Sequence, residues 1–355
     1  MLTVTERKMK KFVRSQLFLT GVVLFGIILM GARIVDGAYN DKYPLTMPFT
    51  TRGMQSFRIG IIADLDAASK SSSEKSAWYS YFKKGYLRYM PTRDTVVVDW
   101  DQTEPVKLTT NYAIRDRGME LSELVVFDGK LLSFDDRTGA VFEIVDDQAI
   151  PWVILMDGDG RNTKGFKSEW ATVKNELLYV GSMGKEWTTS DGIYVNSDPQ
   201  YIKTITPEGA VRHIDWRNEY VRLRAAIDIY WPGYMTHESG TWSNVHQKWF
   251  FLPRKCSKLP YNSTADEYRG CSWLLSADAN MNGVQAVKIP NTVDIRGFSS
   301  FKFIPTSGDT VIAALRSEEV DDRTATYITA FTITGKILLQ DTFVSDLKFE
   351  GLEFI

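Results

Sequence analysis

An all-β fold, a five-bladed β-propeller, is the class the sequence predicts, and three observations predict it. The first is a unit that returns five times: an oxygen-bearing side chain, an apolar strand, a polar turn and a second apolar strand. The five copies open at Ser122, Glu169, Glu238, Ser299 and Glu350, separated by 47, 69, 61 and 51 residues. That is the period of a four-stranded blade, which stacks on its neighbours because one small sheet cannot bury both of its faces alone. The second is composition: aromatic residues make up 13% of the chain and fall in short runs between Asp, Gly and Asn turns, which favours many short strands over long helices. The third is an apparent defect. The fifth copy stops at Ile355, whereas residues 57–64 form an apolar strand with no earlier partner. That strand supplies the missing part of the last blade, so both termini close the ring and leave no exposed edge.

Taken in order, the chain begins with a tail, residues 1–14, holding Arg7, Lys8, Lys10, Lys11 and Arg14 against a single Glu6. Within residues 15–36, Leu17 to Ala32 are apolar apart from Thr20 and glycines, a run shorter than a full span of about 20 residues but longer than a signal-peptide core. A transmembrane signal anchor is expected, with the basic tail cytosolic and the remainder lumenal; a cleaved, secreted form is the alternative. Residues 37–55 read as a stem with no apolar period, and residues 56–355 as the propeller. At 355 residues and 44% apolar content the chain is long enough for one such domain, and a net charge of −2 gives no basic footprint for nucleic acid.

Within the propeller the copies fall at residues 119–134, 168–180, 238–252, 299–315 and 349–355. The opening position of each sits on an innermost strand, so five oxygens converge on one channel. Hard oxygens around one point suit Ca²⁺ rather than Zn²⁺.

Other motifs carry plainer readings. Asp157-Gly158-Asp159-Gly160 starts like an EF-hand loop, but Arg161, Asn162 and Ser168 stand at its fifth, sixth and twelfth positions, so it is read as a tight connection. Residues 135–139, Asp-Asp-Arg-Thr-Gly, form a hairpin turn that also sets Arg137 on a rigid support, where a guanidinium makes a fork for phosphate. Residues 181–186 lack the spacing of a phosphate loop, and His213, His237 and His246 form neither a zinc nor a hydrolase motif. A charged insertion between Pro253 and Gly270 holds the sequon Asn262-Ser263-Thr264, a glycosylation candidate, near the only two cysteines, Cys256 and Cys271. An oxidising compartment favours a disulfide between them.

These segments, with Asp64-Leu65-Asp66, residues 117–122, 164–170, 184–188, 297–303 and 350–355, resemble the signatures of the calcium-activated nucleotidase (apyrase) family, propellers that hydrolyse nucleoside di- and triphosphates. The resemblance runs from about residue 57 to the C-terminus. It implies calcium ligands at Ser122, Glu123, Glu169, Glu238, Ser299 and Glu350, with Glu123 one methylene longer than the Asp of vertebrate members. It implies GDP and UDP as favoured substrates, which in the ER or Golgi would clear the by-products of glycosyl transfer. On that basis Arg137 and a nearby lysine hold the non-transferring phosphates, and Asp64 or Asp66 orients the water or acts as base. A non-catalytic propeller that binds glycans or proteins around a structural ion is the rival reading. Whether the chain forms a homodimer is left open.

Overall fold

The computed structural model describes residues 43–290, 293–321 and 323–355. The expected tail and anchor lie outside the described residues. Five antiparallel blades make up the fold: four are four-stranded, with their strands in chain order from the axis outward, and the fifth is a six-stranded sheet. Blade 1 comprises Leu121–Phe127, Lys130–Asp135, Ala140–Val145 and Gln148–Ile154. Blade 2 comprises Trp170–Lys174, Leu177–Gly181, Tyr201–Ile205 and Val211–Asp215. Blade 3 comprises Tyr234–Ser243, Lys248–Ser257, Trp273–Asp278 and Gln285–Lys288, and blade 4 Arg296–Phe303, Val311–Val320, Arg323–Thr332 and Ile337–Ser345.

Blade 5 is the composite one. Its innermost strand is the C-terminal Phe349–Phe354, which pairs antiparallel with Met54–Ala63, with Ile61 opposite Leu352. Trp78–Met90 and Thr95–Trp100 complete it, and Val106–Thr110 pairs with the first half of Trp78–Met90. The last residues of the chain are thereby an inner strand held on one side by the first long strand of the domain.

Each seam between blades has its own apolar core, five in all. The reason is visible in Leu124-Val125-Val126-Phe127. Leu124 and Val126 pack into the seam with blade 5, while Val125 and Phe127 pack into the seam with blade 2. Successive side chains point to opposite faces of a strand, so a strand covered on both faces is apolar without interruption. Blades 2 and 3 are joined mainly by aromatics: Trp170, Trp216, Trp249 and Phe251 meet edge to face, tilted or, for Trp249 and Phe251, stacked, at 5.2–6.3 Å.

Two expectations are corrected, and one element is added. The stretch read as a stem contains a strand, Phe49–Thr51, which turns back onto Met54–Ser56; its alternate residues were too polar to show a period. The insertion read as starting at Pro253 begins later, because the second strand of blade 3 runs on to Ser257. Proline is tolerated there because the ladder is irregular where Pro253 faces His237. Finally, an α-helix, Arg217–Ala225, precedes blade 3. It is highly charged, yet Tyr220 and Leu223 join Trp216 in the core of that seam, a spacing of three and four that marks one helix face.

Candidate functional site

Three of the repeat-opening residues meet at the axis. Glu169, Glu238 and Glu350 bring carboxylate oxygens within 4.8 Å of one another. Glu169 immediately precedes the inner strand of blade 2, Glu238 sits at the bulge in Tyr234–Ser243, and Glu350 is the second residue of the C-terminal strand. They line a cavity of about 200 Å³ together with Asp64, Asp66, Lys167, Arg254 and Lys348.

Cations are threaded between these acids. Lys167 Nζ lies 2.7 Å from Glu169 and donates to Asp136. Arg254 donates to Glu238, Glu350 and Glu319. Lys348 Nζ is 2.9 Å from Asp64, 2.6 Å from Asp66 and 3.3 Å from Glu319. Crowding still dominates: burial, opposed by Lys167 but reinforced by Glu238, pushes the Glu169 carboxyl up to about 8. Burial likewise holds Glu350 well above the carboxylate range, against Lys348 and with the repulsion of Glu238. A buried cluster of hard oxygens that resists ionisation is one that a further cation would stabilise, and its donor set fits Ca²⁺.

The other three expected ligands are placed differently. Ser122 Oγ donates to the Ser168 carbonyl and Ser299 Oγ accepts from Ser317 at 3.0 Å. Both are buried on inner strands, of blades 1 and 4, but their hydroxyls are engaged within the protein. Glu123 does not join the glutamate cluster. Its carboxylate accepts from the Leu124 amide at 2.8 Å and from Ser300 at 2.9 Å, and lies 3.1 Å from Lys302. The ladder shifts register between Leu121 and Glu123, and the Glu123 carboxylate links blade 1 to blade 4 through Ser300 and Lys302.

Asp64 and Asp66 stand at the same opening, with Glu120 completing a second set of carboxylates within 4.8 Å. Burial raises Asp64, but Lys348 and the Asp66 amide, which donates to it at 2.8 Å, outweigh burial and leave it below the ordinary range. It is therefore ionised at neutral pH. Glu120, buried and paired with Arg117, is pushed up to about 7, first by burial.

Arg137 lies outside this cavity, in a larger one of about 400 Å³ that shares Asp136 and Lys167 as walls. Its placement comes from the turn. Buried Asp135 accepts from the amides of Arg137 at 2.9 Å, Thr138 at 3.2 Å and Met119 at 2.8 Å, and from the Thr138 hydroxyl at 2.8 Å. Gly139 adopts φ +74°, and a Cβ there would lie 2.1 Å from the Leu155 carbonyl. The turn is thus fixed from beneath, presenting Asp136 to Lys167 and Arg137 to solvent.

Sequence reasoning missed the cations. Two had a signal: Lys167 stands two before Glu169 and Lys348 two before Glu350, the spacing that puts side chains on one face of an extended chain. Arg254 and Glu319, on second strands, had none. Lys185 was passed over with its glycine-rich loop. Its ammonium donates to the Glu186 carbonyl at 2.9 Å and to Thr188 at 3.1 Å, and lies 4.2 Å from the ring centre of Tyr261. It has no carboxylate partner within ion-pair distance among the described residues, and burial lowers it to about 8. Tyr261 belongs to the rim segment closed by the disulfide between Cys256 and Cys271. Asn262 beside it is exposed, and its side chain caps the short helix Ser263–Asp266 by accepting from Ala265 at 3.0 Å.

A propeller whose central cavity sets clustered carboxylates beside an unpaired lysine is built to handle anions at an ion-rich mouth, and that is the class of protein fold and site define. The family described as Apyrase matches residues 65–355. Soluble calcium-activated nucleotidase 1 of Rattus norvegicus is 49% identical over 317 residues, 89% of this chain and 78% of that protein. An apyrase of Cimex lectularius is 46% identical over 317 residues, 89% of this chain and 87% of that one. An apyrase of Phlebotomus duboscqi is 38% identical over 299 residues, covering 83% and 88%. The chain belongs to the apyrase family, and with it to the nucleotide-hydrolysing enzymes; the reading as a non-catalytic propeller is set aside.

Proposed function

We propose that the protein is a Ca²⁺-dependent nucleoside diphosphatase, acting on GDP and UDP by preference and on triphosphates, in the lumen of the ER or Golgi. The observation that carries this reading is the convergence of Glu169, Glu238 and Glu350 within 4.8 Å, next to an ionised aspartate and an unpaired lysine. The relatives named calcium-activated nucleotidase support the ion. The disulfide and the exposed sequon at Asn262 suit a lumenal setting for residues 43 onward, with residues 15–36 as anchor.

When bound, Ca²⁺ would be held by Glu169, Glu238 and Glu350, and it would offset charge on phosphate oxygens. The chain's own residues do the rest. Asp64, ionised and fixed by Lys348 and the Asp66 amide, orients a water at the mouth or takes its proton. Lys185 and Arg137 hold the phosphate oxygens that do not leave, Lys185 from the inner cavity and Arg137 from the outer. Tyr261 and the disulfide-closed rim limit the freedom of Lys185.

The test is phosphate release from GDP, UDP, ADP and GMP by the intact chain, with Ca²⁺ and with chelator, alongside glycosidase digestion and alkaline carbonate extraction of the cell-made protein. Chelator-insensitive release would remove the ion from the reading. An unglycosylated, freely extracted protein would remove the lumenal anchored form.

A further inference from the structure

The larger cavity lies outward from the glutamates and shares Asp136 and Lys167 with their cavity. It is lined by Arg137, which has no ion-pair partner among the described residues. Trp187, with the Lys164 ammonium 4.2 Å from its ring centre, and Asp198 line the same cavity.

The three carboxylates of this cavity are not equivalent. Asp136 is taken by Lys167, and Asp157 by Lys164 at 2.9 Å and the Gly158 amide at 3.0 Å. Asp198 alone has no cation within ion-pair distance among the described residues. Its Oδ2 accepts from the Asn162 amide at 3.1 Å, while its Oδ1 accepts no hydrogen bond from any described residue. The group is nevertheless held in place. A Cβ on Gly158 would fall 2.8 Å from that Oδ1, and the Asp198 amide is tied to Asn196 at 3.0 Å.

A fixed acceptor and an indole that line one cavity with the phosphate candidate Arg137 have the layout of a nucleobase reader. The ring stacks and the carboxylate tests the base edge for donors. Guanine offers two adjacent donors there, the N1–H and the 2-amino group. Hypoxanthine and uracil offer one, the ring N–H. Adenine and cytosine set their one amino donor beside a bare ring nitrogen whose lone pair a carboxylate repels.

We propose that Asp198, with Trp187, is the base-specificity subsite of this enzyme, selecting bases with a ring N–H over adenine and cytosine and guanine above the rest. The inference rests on the nucleotidase reading and adds to it which residue sets the base preference. A site that hydrogen-bonds a substrate donor rejects an analogue lacking that donor more strongly than an apolar pocket does.

The experiment is kcat/KM for GDP, IDP, UDP and ADP with Ca²⁺ in excess, for the parent, Asp198→Ala, Asp198→Asn and Trp187→Ala. For Asp198→Ala the loss is graded, on the order of 100-fold for GDP and roughly 10-fold for IDP and UDP, since each charge-assisted hydrogen bond is worth about a factor of ten or more. The GDP to ADP ratio therefore collapses. Asp198→Asn keeps the shape and pairs an acceptor with a donor, the arrangement that matches adenine, so ADP gains relative to GDP. Trp187→Ala lowers every base without changing their order. Equal losses across the four nucleotides in both Asp198 variants, or a parent that hydrolyses ADP as well as GDP, overturns the proposal. A parent inactive on all four with Ca²⁺ overturns instead the nucleotidase reading beneath it.

Discussion

Lys348 and Asp64 hold each other twice: the Asp64 amide donates to the Lys348 carbonyl at 2.9 Å, and the Lys348 ammonium lies 2.9 Å from the Asp64 carboxylate. The contact joins the end of the strand Met54–Ala63 to the start of the strand Phe349–Phe354. Ring closure and the placing of a catalytic candidate are therefore one structural event.

Replacing Lys348 by Met leaves Asp64, Glu319 and Glu350 without their shared counter-charge. The lysine side chain is 7% exposed, and removing one partner of a buried ion pair costs about 3–5 kcal/mol. Thermal unfolding should show the loss, with Lys348→Arg recovering part of it. A melting temperature within 2 °C of the parent, roughly the shift of under 1 kcal/mol in a domain of this size, would show that these charges are solvated and not paired.

Glu169→Gln and Glu238→Gln each preserve volume while removing a charge from the axial cluster. Calcium midpoint and phosphate release should shift together, with added Ca²⁺ restoring part of the rate. Arg137→Ala should raise KM at an unchanged calcium midpoint, because that residue lies in the outer cavity. Parental calcium midpoints in both glutamate variants would mean that the ion is held elsewhere.

Deleting residues 350–355 removes most of an inner strand. Leu352 and Phe354 leave the core of the seam with blade 4, and Glu353 no longer accepts from Tyr43 at 2.9 Å and the Val126 amide at 3.1 Å. We expect insoluble protein. A soluble truncation with the native melting profile would contradict closure by the termini.

Lys185 gives a pH dependence. Burial lowers it to about 8, so it is charged below that value and loses its proton as the pH rises through it. KM should climb above about pH 8 in the parent. Lys185→Arg stays charged over that range and should flatten the climb. Identical profiles for the two would remove Lys185 from phosphate binding.

The blade count, the closing strand and the three glutamates that meet at the axis were legible in the sequence, because each follows from periodicity. A strand buried on both faces is apolar throughout, and a residue in the same phase of every repeat arrives at the same radius. What periodicity does not encode is the direction of a side chain within a bulged strand or the partner it meets from another blade. Ser122 and Glu123 are neighbours in the chain, yet Glu123 joins Ser300 and Lys302 of blade 4. Arg254 reaches Glu350 across 96 residues, and no local pattern announces it. Helix Arg217–Ala225 is recognisable only once Trp170 and Trp249 are there to receive its aromatic face. The sequence by itself determined the ring and the radius at which its acids lie. The tertiary structure alone decided which acids share a cation and which cavity lies outside them, since those depend on Coulombic and packing contacts between blades that fall off within a few ångströms and have no counterpart along the chain.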